Sequence, residues 1–319
     1  MVLGTLVPLL FVSAVSAAVR PKQAFDWDRI EFVYVFGDSY SFVPGTFGLP
    51  SFSFIGDKLD LTFTPTELLT NEIVPRNTSS EGSNWLEFLT ECFEGSPLNC
   101  PRQLWDFAFA GADIDGDLLP LHHNFTIPLV DQVTQWVDYG SDVVPHPPGE
   151  TLTVWWIGIN DTGDTNHNST ITDFASFWET EIQAYFQAVA AASEHGLGTH
   201  LFLNVPPEER SPGSLGDPGQ LKDHIDLFNG VLASHIDGFA KAHPDNIVMT
   251  FDAHAWFNRV LDAHEEFGFT NVTGFCTCAK PSGYFWYNSG HPTERVHQLL
   301  AEAVRDQLLG YDEDIHREL

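Results

Sequence analysis

The stretch FVYVFGDSYSFVPG, residues 32–45, is apolar for five residues and then breaks into Gly37-Asp38-Ser39. A hydroxyl held where a buried strand runs out is a candidate nucleophile, and a nucleophile needs a base. The candidate base is His291, just before Pro292 in YFWYNSGHPTERVHQLL. Two further breaks follow apolar segments: Ala110-Gly111-Ala112 and Gly158-Ile159-Asn160-Asp161. A glycine lets backbone approach a ligand closely, and an asparagine carries an amide donor. Hydroxyl, imidazole and N–H donors together suit attack on a carbonyl carbon. Taken singly, Gly-Asp-Ser equally suits a turn or helix cap, and Gly111 a tight turn.

Such residues act only if elements bring them together. Five short segments rich in β-branched or aromatic residues, 32–36, 104–109, 152–157, 200–205 and 247–251, read as strands. Between the later ones the apolar residues fall at helical spacing. Phe174, Phe177, Trp178, Ile182, Tyr185, Phe186 and Val189 share one face, closed by Gly196; Ile225, Phe228, Leu232, Ile236 and Phe239 share another, ended by Pro244. Ile127, Val130, Val133 and Val137 mark a helix before Gly140, and a last one spans 292–309 ahead of Gly310. Strands apolar throughout and alternating with helices imply a parallel sheet covered on both faces, a three-layer α/β/α fold. Ligands gather at the carboxyl ends of such strands, where Ser39, Gly111 and Asn160 stand. Residues 43–84, rich in Pro, Gly and Ser yet aromatic, read as an ordered insertion over the site.

Serine, glycine, asparagine and histidine at element ends in this order resemble the SGNH (GDSL-type) hydrolases. The elbow Gly-x-Ser-x-Gly is absent, since Gly37 to Ser41 reads Gly-Asp-Ser-Tyr-Ser, so the α/β-hydrolases are not the match. The resemblance extends to FLNVPPEERSP, similar to the Asn-x-Pro-Pro segment after the fourth strand, and to SNWLEFLTE. Block spacing and HPTERVH look most like the fungal secreted acetylesterases of carbohydrate esterase family 16. The resemblance implies a flavodoxin-like five-stranded parallel sheet, with Ser39 as nucleophile and His291 as base. It also implies an oxyanion hole from the Ser39 and Gly111 backbone N–H groups and the Asn160 side chain. Asn160 lies in a sequon with Thr162; the match makes it a cleft donor instead of a glycan site. Asp38 is read as shaping the turn and Asp161 as capping the following segment.

One position departs from the family pattern: Asn288 stands where an aspartate usually holds the histidine. An amide oxygen can still accept from Nδ1, but it brings no negative charge. Three explanations stay open: Asn288 or a carbonyl orients the ring, another acid reaches His291, or catalysis is poor. Tyr40, Trp286 and Tyr287 lie beside the expected site and are candidates for stacking on a sugar. Trp155 and Trp156 read as core, and His122, His123 and His297 as surface or helix-face residues. AHEEF, residues 263–267, lacks the second histidine of a zinc hydrolase, and no metal or cofactor is expected.

The first residues, apolar from Val2 to Val19, carry Val15-Ser16-Ala17 before a cleavage site after Ala17 or Ala18. They read as a secretory signal peptide over 1–18, followed by a single domain over 19–319. No Lys or Arg precedes the run, so a membrane anchor is the rival reading. Sequons at Asn77, Asn124, Asn168 and Asn271 fit secretion and glycosylation. Cys92, Cys100, Cys276 and Cys278 allow three pairings, of which the local Cys92–Cys100 and Cys276–Cys278 is favoured. With 14 Lys plus Arg against 44 Asp plus Glu, the net charge of −30 repels nucleic acid, anionic lipid and polyanionic polysaccharide. The expected protein is an extracellular, monomeric serine esterase that removes acetyl from neutral hemicellulose-derived oligosaccharides. Rival readings are a GDSL-type lipase using the aromatic stretch 43–63 as an acyl groove, and a carbohydrate-binding protein on a retired esterase fold.

Overall fold

The computed structural model describes residues 25–56, 62–216 and 218–317, with side chains to 311. The expected signal peptide, 1–18, lies outside the described residues. Five parallel strands form the central sheet: β1 (Phe32–Gly37), β2 (Gln103–Asp106), β3 (Thr151–Trp156), β4 (Thr199–Leu203) and β5 (Ile247–Phe251). Their order is β2-β1-β3-β4-β5. The chain therefore runs from β1 outward to β2, then back past β1 to β3. That reversal opens a crevice at the carboxyl end of β1, the place where sheets of this order bind ligands.

Among the described residues, eight α-helices surround or extend the sheet: α1 (Pro65–Thr70), α2 (Trp85–Thr90), α3 (Leu129–Gln135), α4 (Ile159–Thr165), α5 (Phe174–Glu194), α6 (Pro218–Ala242), α7 (Ala253–Asp262) and α8 (Glu294–Arg317). α2 packs on α8, whereas α3 packs on α5 and α5 on α6. Right-handed crossovers put these two groups on opposite faces of the sheet. Every residue of β1 and β3 is accordingly buried, and Trp155, Trp156, Tyr34 and Phe36 are wholly so. Burying one such side chain contributes about 1.5–3 kcal/mol.

Local signals set the ends. Asn84 and Glu87 form a capping box at the start of α2, and Gly196, at φ +102°, follows the C-cap of α5. β2 stops three residues before the expected 109 because the Asp106 carboxylate accepts from the Ala108 N–H and turns the chain. α8 runs through Gly310, which was expected to end it. There the glycine is exposed and costs the helix about 1 kcal/mol relative to alanine. A second sheet, β6 (Asn271–Phe275) beside β7 (Tyr284–Trp286), has no counterpart among the expected strands. β7 leads directly into the His291 loop. Disulfides join Cys92 to Cys100 and Cys276 to Cys278. Among the described residues no helix is long and apolar enough to cross a membrane.

The core holds many carboxyl groups. Asp38, Glu87, Asp106, Asp113, Asp161 and Glu181 are each at most 1% exposed. Burial, the largest cause in every case, pushes Asp38 and Asp106 well up, Glu87 to about 8, Asp161 to about 7 and Glu181 to about 9. These groups stay protonated in the fold at pH values where the unfolded chain has ionised them. Their contribution to stability is full below the unfolded value of about 4 and is lost as pH rises through the folded values. Melting curves should therefore show a higher midpoint at about pH 5 than at about pH 8, each such group costing about 1.4 kcal/mol per pH unit crossed.

Candidate active site

The bottom of the crevice is fixed by a glycine. A Cβ on Gly37 would stand 2.3 Å from the Trp156 carbonyl oxygen, so only glycine lets β1 run this close to β3 here. Gln132 on α3 clamps the same residue. Gly37 N donates to its Oε1 at 3.0 Å, and its Nε2 donates to the carbonyls of Gly37 (2.8 Å) and Ile127 (3.0 Å). The chain then turns sharply: Asp38 Oδ1 accepts from Tyr40 N at 2.9 Å, and the Asp38 carbonyl accepts from Ser41 N and Phe42 N. Ser39 stands at the apex of that turn, 8% exposed.

His291 Nε2 lies 2.8 Å from Ser39 Oγ, and His291 Nδ1 lies 3.0 Å from Asn288 Oδ1. Asn288 Oδ1 also accepts from Gly290 N (3.0 Å) and His291 N (2.8 Å), while its Nδ2 donates to the Ser79 carbonyl (3.3 Å). Two backbone donors facing one atom identify it as the oxygen, so the proton between Asn288 and the ring belongs to Nδ1. Nε2 then carries a lone pair aimed at the serine hydroxyl. Asn288 is thus the group that faces Nδ1, in place of a second acid. Burial pushes the His291 imidazole down to about 4, with no neighbouring carboxylate to hold its cation.

The loops after β2 and β3 flank Ser39 on either side. Gly111 has φ +83°, a left-handed conformation that glycine adopts without strain. Asn160 lies in the first turn of α4, and its Nδ2 donates to the Ala112 carbonyl at 2.9 Å. One amide hydrogen is used in that bond, which leaves the other to serve the crevice. Asp161, expected to cap the following segment, instead ties the two loops: its Oδ1 accepts from Ile114 N at 2.9 Å, and α4 has no side-chain cap. Thr162 of the coincident sequon is wholly buried, with its hydroxyl on the Gly158 carbonyl. The arrangement offers a serine hydroxyl, a neutral base and N–H donors from three adjacent strand ends. That set can attack a carbonyl carbon and hold the oxyanion that results.

Several expectations need correction. Tyr40 and Trp286 are 1% and 0% exposed, with Trp286 Nε1 on the Val272 carbonyl, so neither offers a face to a sugar. Tyr287 is also buried, and Glu81 is its hydrogen-bonding neighbour. His297 lies on α8 as a helix-face residue, but that face is buried; its Nε2 lies 3.0 Å from Ser80 Oγ, which donates to the Pro292 carbonyl next to His291. His122 and His123 lie against Gly111, where a Cβ would meet them at 3.3 and 3.5 Å. His123 packs between Phe52 and Phe125, and His122 pairs with Asp164. Among the expected glycan sites Asn124 is exposed, and Asn77, Asn168 and Asn271 are half-buried. Gln132 and Ser80 escaped the sequence reading; the only signal was a glutamine on the otherwise apolar stripe of α3. Among the described residues, no group of three or more His, Cys, Asp or Glu is placed to hold a metal ion.

Comparison with known proteins gives matching relatives. The family described as GDSL-like Lipase/Acylhydrolase matches residues 33–304. The chain is similar to an acetylesterase of Thermothelomyces thermophilus, 27% identical over 313 residues, covering 94% of this chain and 95% of the relative. A GDSL esterase/lipase of Arabidopsis thaliana is 22% identical over 244 residues, 64% of this chain and 60% of that protein. Among solved structures, an alpha/beta hydrolase enzyme from the metagenome of Lake Arreo, Spain, superposes with a TM-score of 0.47 at 14% identity, covering 88% of this chain and 96% of that one.

A base that stays neutral in acid should keep the serine reactive in acid. Covalent labelling of Ser39 by a fluorophosphonate is expected to persist as pH falls and to be lost only around pH 4, as His291 takes its proton. Asn288→Asp places a carboxylate against Nδ1 and favours the imidazolium, so it should move that loss to higher pH. Unchanged midpoints in the variant would refute the contact as the ring's electrostatic partner.

Proposed function

The chain belongs to the GDSL-like Lipase/Acylhydrolase family and is a carboxylic ester hydrolase, and on that premise we propose that it is a secreted acetylesterase. Its substrates on this reading are short acyl esters, foremost acetyl, on neutral hemicellulose-derived oligosaccharides. The observation that carries the chemistry is the relay from Asn288 Oδ1 through His291 to Ser39 Oγ, at 3.0 and 2.8 Å.

Ser39 Oγ attacks the acyl carbon while its proton passes to His291 Nε2. The carbonyl oxygen becomes negative and is held by the Ser39 and Gly111 N–H groups and by Asn160 Nδ2. His291 returns the proton to the departing sugar oxygen, and a water activated by the same imidazole releases the acid from Ser39. Asn288 contributes orientation and the correct tautomer. It contributes no charge, so the imidazolium of the transition state is less supported than in a triad with a carboxylate.

The short acyl group is supported by the packing of the stretch 43–63, where Val43, Phe54, Ile55 and Phe63 are buried in the core and not free to line a long acyl groove. Among the described aromatics of that stretch, this leaves only Phe47, exposed, and Phe52, half-buried, for an acyl chain to meet. The acetylesterase likeness supports acetyl as the acyl group, and a net charge of −30, which disfavours anionic polysaccharide, supports a neutral substrate. Secretion is supported by the apolar residues 1–18, the sequons at Asn77, Asn124, Asn168 and Asn271, and the paired cysteines.

Acetate release from acetylated xylo-oligosaccharides, beside 4-nitrophenyl esters of increasing acyl length, tests the reading. Serine-dependent release that falls beyond short chains is expected; activity rising with chain length would turn the reading to a lipase. Ser39→Ala should lose essentially all turnover with an unchanged melting curve. Asn160→Ala should lower kcat about 10²–10³-fold, the typical cost of one oxyanion donor.

A further inference from the structure

Tyr40 Oη lies 2.6 Å from Glu208 Oε1 and 2.5 Å from the Gly290 carbonyl oxygen. A phenol has one hydrogen to give, and a carbonyl oxygen can only accept. Both short contacts are satisfied together only if Tyr40 donates to Gly290 and Glu208 supplies a hydrogen of its own to Tyr40 Oη. We infer that Glu208 acts as a neutral carboxylic acid that, through Tyr40, positions the His291 loop, and that its ionisation switches the esterase off in mild alkali. The inference rests on the reading of Ser39 and His291 as nucleophile and base.

The surroundings support it. Gly290 precedes the base; its N–H is bound to Asn288 Oδ1 and its carbonyl to Tyr40, so it is pinned on both sides. The Tyr40 ring packs 5.6 Å from the His291 ring, against Trp156 and Phe257. Glu208, in a short 3₁₀ turn at residues 208–210, is 9% exposed. Among the described residues, the following charged groups give it no cation. Asp38 is buried nearby on the Ser39 turn, and Glu209 adjoins it. Lys222 and Asp226 of α6 and His254 of α7 act on Glu209 instead. Arg210 turns away to Asn258 and Asp262. Burial first, and then the charge of Glu209, push the Glu208 carboxyl up to about 8; a hydrogen donated by Tyr40 favours only the ionised carboxylate and pulls the other way.

Loss of that proton reverses the chain of donors. A carboxylate is the stronger acceptor and takes the Tyr40 hydrogen, so the Gly290 carbonyl loses its donor and faces phenol lone pairs. The residue before His291 is then released. Glu208 is therefore a positioning residue, and its effect should appear in kcat far more than in KM.

The test is the kcat profile for 4-nitrophenyl acetate from about pH 6 to 9.5, with circular dichroism at each pH and return to pH 6 to check reversibility. Wild type should decline reversibly with a midpoint at about pH 8 while remaining folded. Glu208→Gln, whose amide donates to Tyr40 but cannot ionise, should keep kcat at pH 6 within about threefold and lose the decline. Tyr40→Phe should lower kcat about tenfold at pH 6 with little change in KM. A wild-type profile flat through pH 9, which needs no variant to fold, would overturn the inference. So would a Glu208→Gln profile with the same decline as wild type. The two readings separate cleanly: turnover by Ser39→Ala in this assay would undo the site itself, whereas an inactive Ser39→Ala beside an unchanged Glu208→Gln profile would undo the Glu208 role alone.

Discussion

The contact between Gly37 and the Trp156 carbonyl is the constraint on which the site depends. With a side chain at residue 37 the ends of β1 and β3 would have to part, because a Cβ there would sit 2.3 Å from a backbone oxygen. Kept together, they bring Ser39 and the Asn160 turn to adjacent strand ends, at the point where the strand order reverses. Gln132 satisfies the Gly37 N–H and carbonyl with one hydrogen bond each, and donates a third to the Ile127 carbonyl. Backbone approach, polar satisfaction and topology thus converge on one residue.

Around that point the chemistry is arranged with little charge. His291 is oriented by an amide oxygen, and burial keeps it neutral down to about pH 4. Tyr40, next to Ser39, is locked between Trp156, Phe257 and the Gly290 carbonyl. The six carboxyl groups buried to 1% exposure or less are favoured in their protonated forms by the same low dielectric. A neutral base and neutral buried acids share one physical cause, desolvation. They suit the same acidic medium in which a net charge of −30 would be partly neutralised.

Much of this was legible in the residue order. All five sheet strands were marked by short runs rich in β-branched and aromatic residues, and α3, α5, α6 and α8 by their apolar stripes. β6 and β7 were not, since Asn271 to Phe275 alternates weakly and the strands pair only with each other. α1, α2 and α4, at six or seven residues, are too short for a periodic signal; α1 and α2 start in capping boxes, whereas α4 has no side-chain cap and depends on what it packs against. Ser39, Gly111, Asn160 and His291 could be proposed from the residue order because each stands within a few positions of the end of an element. Tyr40 and Trp286 were misread as exposed aromatics because nearness in sequence to a site does not tell which way a ring faces.

By itself the sequence determined the menu: which residues carry a hydroxyl, imidazole or amide, which breaks they occupy, and the periods that select strand or helix. These are local properties, set by neighbours within a few positions. The tertiary structure alone decided the partners and protonation states. Gln132 reaches Gly37 across 95 positions and Tyr40 reaches Glu208 across 168. A hydrogen bond depends on atoms brought within about 3 Å, and a pKa on how much water has been excluded. Neither quantity exists until the chain has folded.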